Sequence, residues 1–581
     1  MALPAAKSWS GIPARAARFT STMSKEFERT DVAQVFRDHE ILITGVNGFL
    51  GKVLLGLILD RLPEFKHLHI LLRGTANVSA QERFYSQTLG SPALEGFTKR
   101  ITESRGATFL GQNITVWAGD ISQPGCGLDR AAVERLRGRV GAIINCAGLV
   151  EFFPPVDDAF ASNVDGVENV VALAKQAEAK LVHVSTCYVC GEADGLIEES
   201  EPILGYYPHR NGPEDSSFNH QEELSYCRER IRQIYDSEGP PKSGVEFGRP
   251  LAPLSDVIPS GTQPRLSKQS AQRLVALGKQ RAEHWGWVNT YTYSKSVGEQ
   301  IIAGEANLDY AIVRPAIVES ALRFPLPGWI EGGRTAAPLV LMALSGLKHW
   351  PVRRDIPLEV VPVDLVASAI LVVTALLLEG RHEPVYQLAS ADVNPIELES
   401  VVRLLHDEFR HRGSNGAQRN GSQSIATSIL ERLVGANSVS PRGRLRFLTG
   451  GQARARRVRL QERVGKAQDL IVRTGKVLEK ARLPGKRRLS AWNTALRTLG
   501  LRAGFREQTL DQYLPFVLHN RYIFESENIR QAYSWLSEKD RQLLPWDPER
   551  IDWKDYWINY QIKGIEKWVQ PEAVKEWNSR I

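Results

Sequence analysis

Cysteine is scarce: five in 581 residues (Cys126, Cys146, Cys187, Cys190 and Cys227), too few to frame so long a chain with disulfides. A reducing setting fits that usage, and the chain is expected to be cytoplasmic. Cys187 and Cys190 form a single C-x-x-C with no second pair and no histidine cluster beside it, so no metal site is expected. Long apolar runs are also missing. None reaches the ~18 residues of a membrane span. The nearest, LVASAILVVTALLLEG (365–380), carries Ser368 and Thr374 and reads as a buried helix. Acid is absent from the first 25 residues, which hold Lys7, Arg15, Arg18 and Lys25. That pattern is similar to a weak organelle transit peptide. A disordered tail, or an upstream start with Met23 as the alternative, is the preferred reading. No internal repeat is present.

What remains has the composition of a globular protein, 43% apolar and 24% charged, in a chain long enough for two to four domains. Between residues 40 and 185, EILITG, HLHILLRG, ITVWAGD, GAIINCAG and KLVHVST each read as a strand buried on both faces. Amphipathic stretches such as FLGKVLLGLILDRL separate them. This alternation predicts an α/β fold with a Rossmann-type, doubly wound parallel sheet. Residues 192–288 are more polar and read as an insertion with a few helices. The α/β pattern returns over 289–380. HRGSNGAQRNGSQS (411–424) reads as a linker. The chain is thus expected to comprise a tail (1–38), the sheet domain (39–405) with its insertion around 192–288, a linker and basic segment (406–504), and an aromatic-rich, mainly helical C-terminal region (505–581).

ILITGVNGFLG (41–51) runs an apolar strand into Gly45, Gly48 and Gly51. Gly45 allows a tight turn, Gly48 lets backbone approach a pyrophosphate, and Gly51 lets the following helix pack closely. Thr44, Asn47, Phe49 and Leu50 complete the expected cradle for a dinucleotide. The second strand ends in Arg73 with no acid beside it. A guanidinium there suits a ribose 2′-phosphate, so NADPH is the expected cofactor, against the plainer reading of a surface arginine. Asp120 and Ile121 close the third strand, where adenine would be framed. Ala147 and Gly148 close the fourth.

If NTYTYSKSVGEQ (289–300) is helical, Tyr291 and Lys295 share a face and Tyr293 points away. A fixed ammonium beside Tyr291 would lower its pKa and make it a proton donor to a carbonyl being reduced. HVSTCYVCG supplies Ser185 and Thr186 at a strand end, and Thr186 is the preferred second hydroxyl.

TGVNGFLG, NVDG, HVST, YTYSK and VRP, in that order, resemble the extended short-chain dehydrogenase/reductase family. RAEHWGWVNTYTYSK (281–295), VRPAIVESALRFPLPGWIEG (313–332) and YLPFVLHNRYIFESENIRQAY (513–533) narrow the resemblance to fatty acyl-CoA reductases of the male-sterility type, nearest its bacterial-type members. The resemblance implies cofactor roles for Asn163 and Pro315. It also implies NADPH-dependent reduction of a long-chain acyl-CoA or acyl carrier protein thioester to an aldehyde and then an alcohol. Stopping at the aldehyde stays open, as does a nucleotide-sugar or sterol reaction on the same fold. The segment 325–347 is apolar enough to line an acyl slot, and Trp553, Trp557 and Tyr560 are placed to roof it. No nucleic acid is expected as a partner, and a homodimer stays open.

Residues 441–490 hold 16 Lys or Arg against three acids, whereas the whole chain carries a net charge of +7. Leu460, Val464, Ala467, Ile471, Thr474, Leu478 and Ala481 recur at helical spacing among these cations. A peripheral membrane contact, a helix packed on the body and a patch for CoA phosphates all fit that pattern. The resemblance assigns this insert no role.

Overall fold

In the computed structural model, residues 29–212, 214–237, 267–333, 335–344, 346–414, 444–480, 494, 507 and 509–569 are described. The N-terminal 28 residues, most of the 411–424 linker and residues 481–490 of the basic segment lie outside them.

Seven parallel strands form the central sheet: β1 (Glu40–Thr44), β2 (His67–Leu72), β3 (Ile114–Ala118), β4 (Val140–Asn145), β5 (Lys180–Val184), β6 (Tyr310–Pro315) and β7 (Val385–Leu388). Their order across the sheet is β7-β6-β5-β4-β1-β2-β3. The direction of winding reverses between β1 and β4, which is where α/β sheets open a crevice for ligands. Strand β1 is buried at every position because its EILIT run has apolar neighbours on both faces. Strand β3 departs from the expected double burial. Its middle residues are half-exposed and Ala118 is exposed, because it lies at the sheet edge with only β2 beside it.

Nine helices matter for the site. They are α1 (Phe49–Arg61), α2 (Val156–Asn163), α3 (Asp165–Ala177), α4 (His220–Asp236), α5 (Lys268–Trp285), α6 (Thr290–Ala303), α7 (Val363–Leu378), α8 (Leu398–Ser414) and α9 (Gly450–Lys480). Helix α7 contains the longest apolar run and is buried from Val363 through Leu377, packed on α1, β5 and β6. Among the described residues, no helix is long and apolar enough to cross a membrane. Asp364, in the first turn of α7, accepts N–H bonds from Leu322 (2.8 Å), Arg323 (2.8 Å) and Phe324 (3.2 Å). One carboxylate thereby pins the loop that follows β6.

The insertion does more than add helices. Its strand Asp194–Ile197 pairs in parallel with Arg521–Phe524 from the C-terminal region. Tyr513, Phe524, Tyr556 and Trp557 join the same apolar core as the sheet and α7. The C-terminal region is therefore built into the body of the fold.

Helix α9 runs unbroken from Gly450 to Lys480 within the basic segment. Leu460, Val464, Ala467 and Ile471 are half-buried and Thr474 is exposed, while Leu470 is 66% exposed. The expected apolar stripe is thus only partly covered; the side chains of Leu478 and Ala481 lie outside the described residues.

Candidate active site

A cavity of about 800 Å³ opens at the β1/β4 reversal and runs toward α8 and the C-terminal region. The glycine turn forms one end. Gly45 has φ +73, and a Cβ added there would sit 2.6 Å from the Cys146 backbone. A Cβ on Gly51 would meet the Gly45 carbonyl at 2.2 Å. Both positions therefore exclude a side chain, one by conformation and contact, the other by the closeness of α1 to the turn. Thr44, Gly45, Asn47, Gly48, Phe49, Leu50 and Gly51 all line this end. Helix α1 begins there with no side-chain cap, so its first N–H groups face the cavity end. Thr44 also works behind the wall: its hydroxyl donates to Asn145 Oδ1 (2.6 Å) and accepts from Ala147 N (3.2 Å). Asn145 in turn meets His183 Nδ1 at 3.1 Å. Burial keeps His183 well below the usual imidazole range, so this polar chain across the sheet is uncharged.

Arg73, Asp120 and Ile121 line the same end, and Asp120 Oδ2 lies 3.8 Å from Arg73 Nη1. The arginine therefore has an acidic neighbour across the loop, which the residues flanking it in sequence do not reveal. A second guanidinium, Arg83, also lines the cavity and donates to the Arg73 carbonyl at 3.2 Å. Its helical turn opens with a capping box at Ser79 and Glu82, the local signal that places Arg83.

Ala147, Gly148 and Pro315 line the middle of the cavity. Asn163 does not. Its Nδ2 donates to the Leu149 carbonyl (3.0 Å) and Ser294 Oγ (3.0 Å), and its Oδ1 accepts from Leu149 N (2.9 Å). Both its donors and one of its two acceptor sites hold the β4 loop to α6, and it is outside the cavity lining, which corrects the expectation of cofactor contact. Gly148 leaves room for both neighbours, since a Cβ there would lie 3.0 Å from Asn163 Oδ1 and 3.0 Å from Lys295 Nζ.

Asn289 caps α6 by accepting from Thr292 N at 2.8 Å, which sets the register of the helix. Tyr291 and Lys295 then line the cavity together with Ser185 and Thr186. Tyr293 faces away, fully buried, with its hydroxyl donating to Glu223 Oε1 at 2.7 Å. Glu223 also receives Arg281 (2.9 and 2.6 Å) and Trp285 (3.1 Å), so it ties α4, α5 and α6 into one unit.

The electrostatics differ from the expectation in one respect. Burial pushes the Tyr291 phenol up from its ordinary value, and the hydrogen bond with Thr186 only partly offsets this. Lys295 does not act as the expected depressant. It is itself buried, which lowers its ammonium to about 8, and its Nζ donates to the Val184 carbonyl at 2.8 Å. The Thr186 hydroxyl donates to the Pro315 carbonyl at 3.3 Å. Ser185 lines the cavity, and its Oγ is buried with no hydrogen-bond partner among the described residues. Cys187 and Cys190 lie beside this strand end, where burial pushes both thiols up, Cys190 to about 12.

The far wall is apolar. Leu339 and Val340 come from the 325–347 segment, Leu398, Val401, Val402 and Leu405 from α8, and Tyr513, Phe516 and Trp557 from the C-terminal region. Trp553 and Tyr560 do not reach the wall; Trp553 Nε1 instead donates to the Asn394 carbonyl at 2.8 Å. Glu331 lines the wall and accepts from Lys52 Nζ of α1 at 2.5 Å, fastening this segment over the glycine turn.

Residues 43–370 match the profile described as male sterility protein, and residues 505–572 match a second profile of the same description. The chain belongs to the male sterility protein family. Fatty acyl-CoA reductase 8 of Arabidopsis thaliana is 27% identical over 90% of this chain and 96% of its own. The alcohol-forming fatty acyl-CoA reductase of Simmondsia chinensis is 25% identical over 93% of this chain and 98% of its own. A reductase domain of a Mycobacterium tuberculosis non-ribosomal peptide synthetase has 17% identity and a TM-score of 0.47, covering 92% of this chain and 95% of that one. The first match is the family's NAD-binding segment, and a nicotinamide cofactor goes with it. The residues present fit such a group: a glycine turn whose Gly45 and Gly51 exclude a side chain, two arginines at the cavity end and an unpartnered buried hydroxyl, Ser185, in the same lining as Lys295.

Proposed function

We propose that this male sterility family member reduces long-chain fatty acyl-CoA to fatty alcohol through the aldehyde, with NADPH as reductant. The observation that carries the reading is a single cavity with a dinucleotide cradle at one end, an apolar wall at the other, and Tyr291, Lys295, Ser185 and Thr186 between them. The relatives named as fatty acyl-CoA reductases support the substrate class.

Thr44 to Gly51 would hold the pyrophosphate, Arg73 and Arg83 a ribose 2′-phosphate, and Lys295 the nicotinamide ribose; the bound cofactor supplies hydride. Tyr291 donates a proton to the carbonyl oxygen, and Thr186 and Ser185 orient that oxygen by hydrogen bonding. Burial serves this role, since a phenol held above its ordinary pKa stays protonated until the oxygen becomes basic. Lys295, adjoining the same space, balances the negative charge that develops there. The apolar wall from α8 and the C-terminal region excludes water and receives the acyl chain. With the thioester, the hemithioacetal returns its hydroxyl proton to Tyr291 as the C–S bond breaks, and CoA leaves as the thiolate; the aldehyde again presents a carbonyl, so one set of hydroxyls serves both steps.

The test follows NADPH absorbance with palmitoyl-CoA and identifies products by chromatography. Two NADPH consumed per CoA released, with hexadecanol accumulating, is the expected result. One per CoA with hexadecanal accumulating reassigns the enzyme as aldehyde-forming. No oxidation with palmitoyl-CoA, acyl carrier protein thioester or hexadecanal refutes the reading.

A further inference from the structure

A second cavity, of about 550 Å³, lies between α8, the first half of α9 and the short strand pair His349–Trp350 with Arg446–Phe447. Six arginines line it: Arg354, Arg403, Arg446, Arg456, Arg459 and Arg463. Among the described residues, no carboxylate is in its wall. Glu399, just outside, accepts from both Arg354 and Arg403. Among the described residues, Arg446, Arg459 and Arg463 have no carboxylate partner. Arg456, Arg459 and Arg463 sit at helical spacing and so present one face of α9. The planes of Arg354 and Arg403 rest on the Phe447 ring, 5.4 and 5.2 Å from its centroid, which limits their freedom to swing into solvent. Burial and the neighbouring Arg463, Arg446 and Arg459 push the Arg456 guanidinium below its ordinary range, and nearby Glu507 offsets this only in part. Like charges gathered in one concavity repel, and a multiply charged anion relieves that repulsion.

The position of this cavity bears on which anion it would take. His349 lines it and the adjacent Trp350 lines the main cavity; likewise Arg403 lines it and Val402 lines the main cavity. The two spaces are therefore separated by one strand and one helix, at the end of the main cavity remote from the glycine turn. A ligand that reaches this cavity from the main one must pass over the edge of that wall, which calls for an apolar or thioester portion joined by a long flexible arm to clustered phosphates. A concave arginine pocket also fits a compact phosphate cluster better than the flat surface of a bilayer.

We propose that the arginine cavity binds the diphosphate and ribose phosphate of coenzyme A, so that α9 selects a CoA thioester. The proposal rests on the acyl-CoA reading above and assigns the basic segment a role in substrate recognition.

The test uses the full chain carrying Arg456→Gln, Arg459→Gln and Arg463→Gln together. KM for palmitoyl-CoA is expected to rise by at least about tenfold, since charge-assisted contacts to phosphate are lost. NADPH-dependent reduction of hexadecanal, which has no phosphate, is expected to be unchanged, and this also reports correct folding. In the wild type, adenosine 3′,5′-bisphosphate should inhibit competitively against palmitoyl-CoA and not against NADPH. If the triple variant fails to fold, the exposed pair Arg459→Gln and Arg463→Gln is read in its place, and an inhibition constant for adenosine 3′,5′-bisphosphate within twofold of wild type in that pair overturns the proposal. A KM for palmitoyl-CoA within twofold of wild type overturns the proposal. So does loss of binding to phosphatidylglycerol vesicles at unchanged KM, which would assign the arginines to lipid headgroups. A wild type that binds adenosine 3′,5′-bisphosphate at this cavity yet reduces neither thioester nor aldehyde refutes the reductase reading and leaves the phosphate site standing.

Discussion

Two tyrosines two residues apart on α6 should respond to the same substitution in opposite ways. Tyr291→Phe removes the hydroxyl that faces the cavity beside Lys295. Removing a general acid costs ~10²–10⁴ in kcat. Stability should hardly change, because Tyr291 is only half-buried and its partner, the Thr186 hydroxyl, keeps its bond to the Pro315 carbonyl. Tyr293→Phe removes a fully buried hydroxyl that donates to Glu223 at 2.7 Å and meets Cys227 Sγ at 3.4 Å. Glu223 keeps Arg281 and Trp285, so it is not left unpaired. The loss is then one hydrogen bond to a charged acceptor, ~1.5–3 kcal/mol. Activity per folded molecule should stay close to wild type. The assay pairs initial rates of NADPH oxidation with urea denaturation of both variants. If Tyr293→Phe abolishes turnover while Tyr291→Phe only destabilises, the register set by the Asn289 cap is wrong, and the catalytic assignment fails with it.

Replacing Arg73 and Arg83 with alanine should raise KM for NADPH by ~10–100-fold, the loss of charge-assisted contacts to a phosphate, while KM for NADH stays unchanged. Equal effects on both cofactors would show that the arginines do not read the 2′-phosphate. Lys295 has its own pH signature. Burial holds its folded-state ammonium near 8, against an ordinary 10.5. The step that uses the charged form should lose rate as pH rises through about 8. For stability the sign is opposite: between those two values the unfolded state binds the extra proton, so wild type gains stability with rising pH. Lys295→Met lacks that gain, and urea midpoints at pH 7.5 and 10 should differ between the two proteins in slope. Parallel behaviour would mean that the ammonium is solvated.

The local parts of the site were legible because each follows from a short-range rule. The glycine turn sits at the end of an apolar strand and the start of a helix, and the i, i+4 spacing of Tyr291 and Lys295 needs only the helical period. What sequence reading does not reach depends on contacts distant in the chain. Asn163 resembles a family asparagine, but its role is set by Leu149 and Ser294, whose positions depend on how α2 and α6 cross. Arg83 enters the cavity because the chain folds back after β2, and the pairing of 194–197 with 521–524 joins segments over three hundred residues apart, which no periodicity records. The effect of Lys295 on Tyr291 differs from the expectation for a similar reason: proximity along a helix suggests attraction, yet the Lys295 ammonium is spent on the Val184 carbonyl, and burial raises the phenol.

The same reasoning explains why the basic segment resisted assignment. A helical pattern of arginines beside a partial apolar stripe suits a membrane face, a packed helix and a phosphate site equally, because the pattern describes one element and the choice depends on its neighbour. Once α9 lies against α8 and the Arg446–Phe447 strand, its arginines face Arg354 and Arg403 from other elements. Cations that converge from separate elements into a concavity, across one helix from an apolar slot, have a use that a lone basic helix lacks. They can hold the charged end of a molecule whose other end is oil, which is the chemical problem that a fatty acyl thioester sets for any enzyme that reduces it.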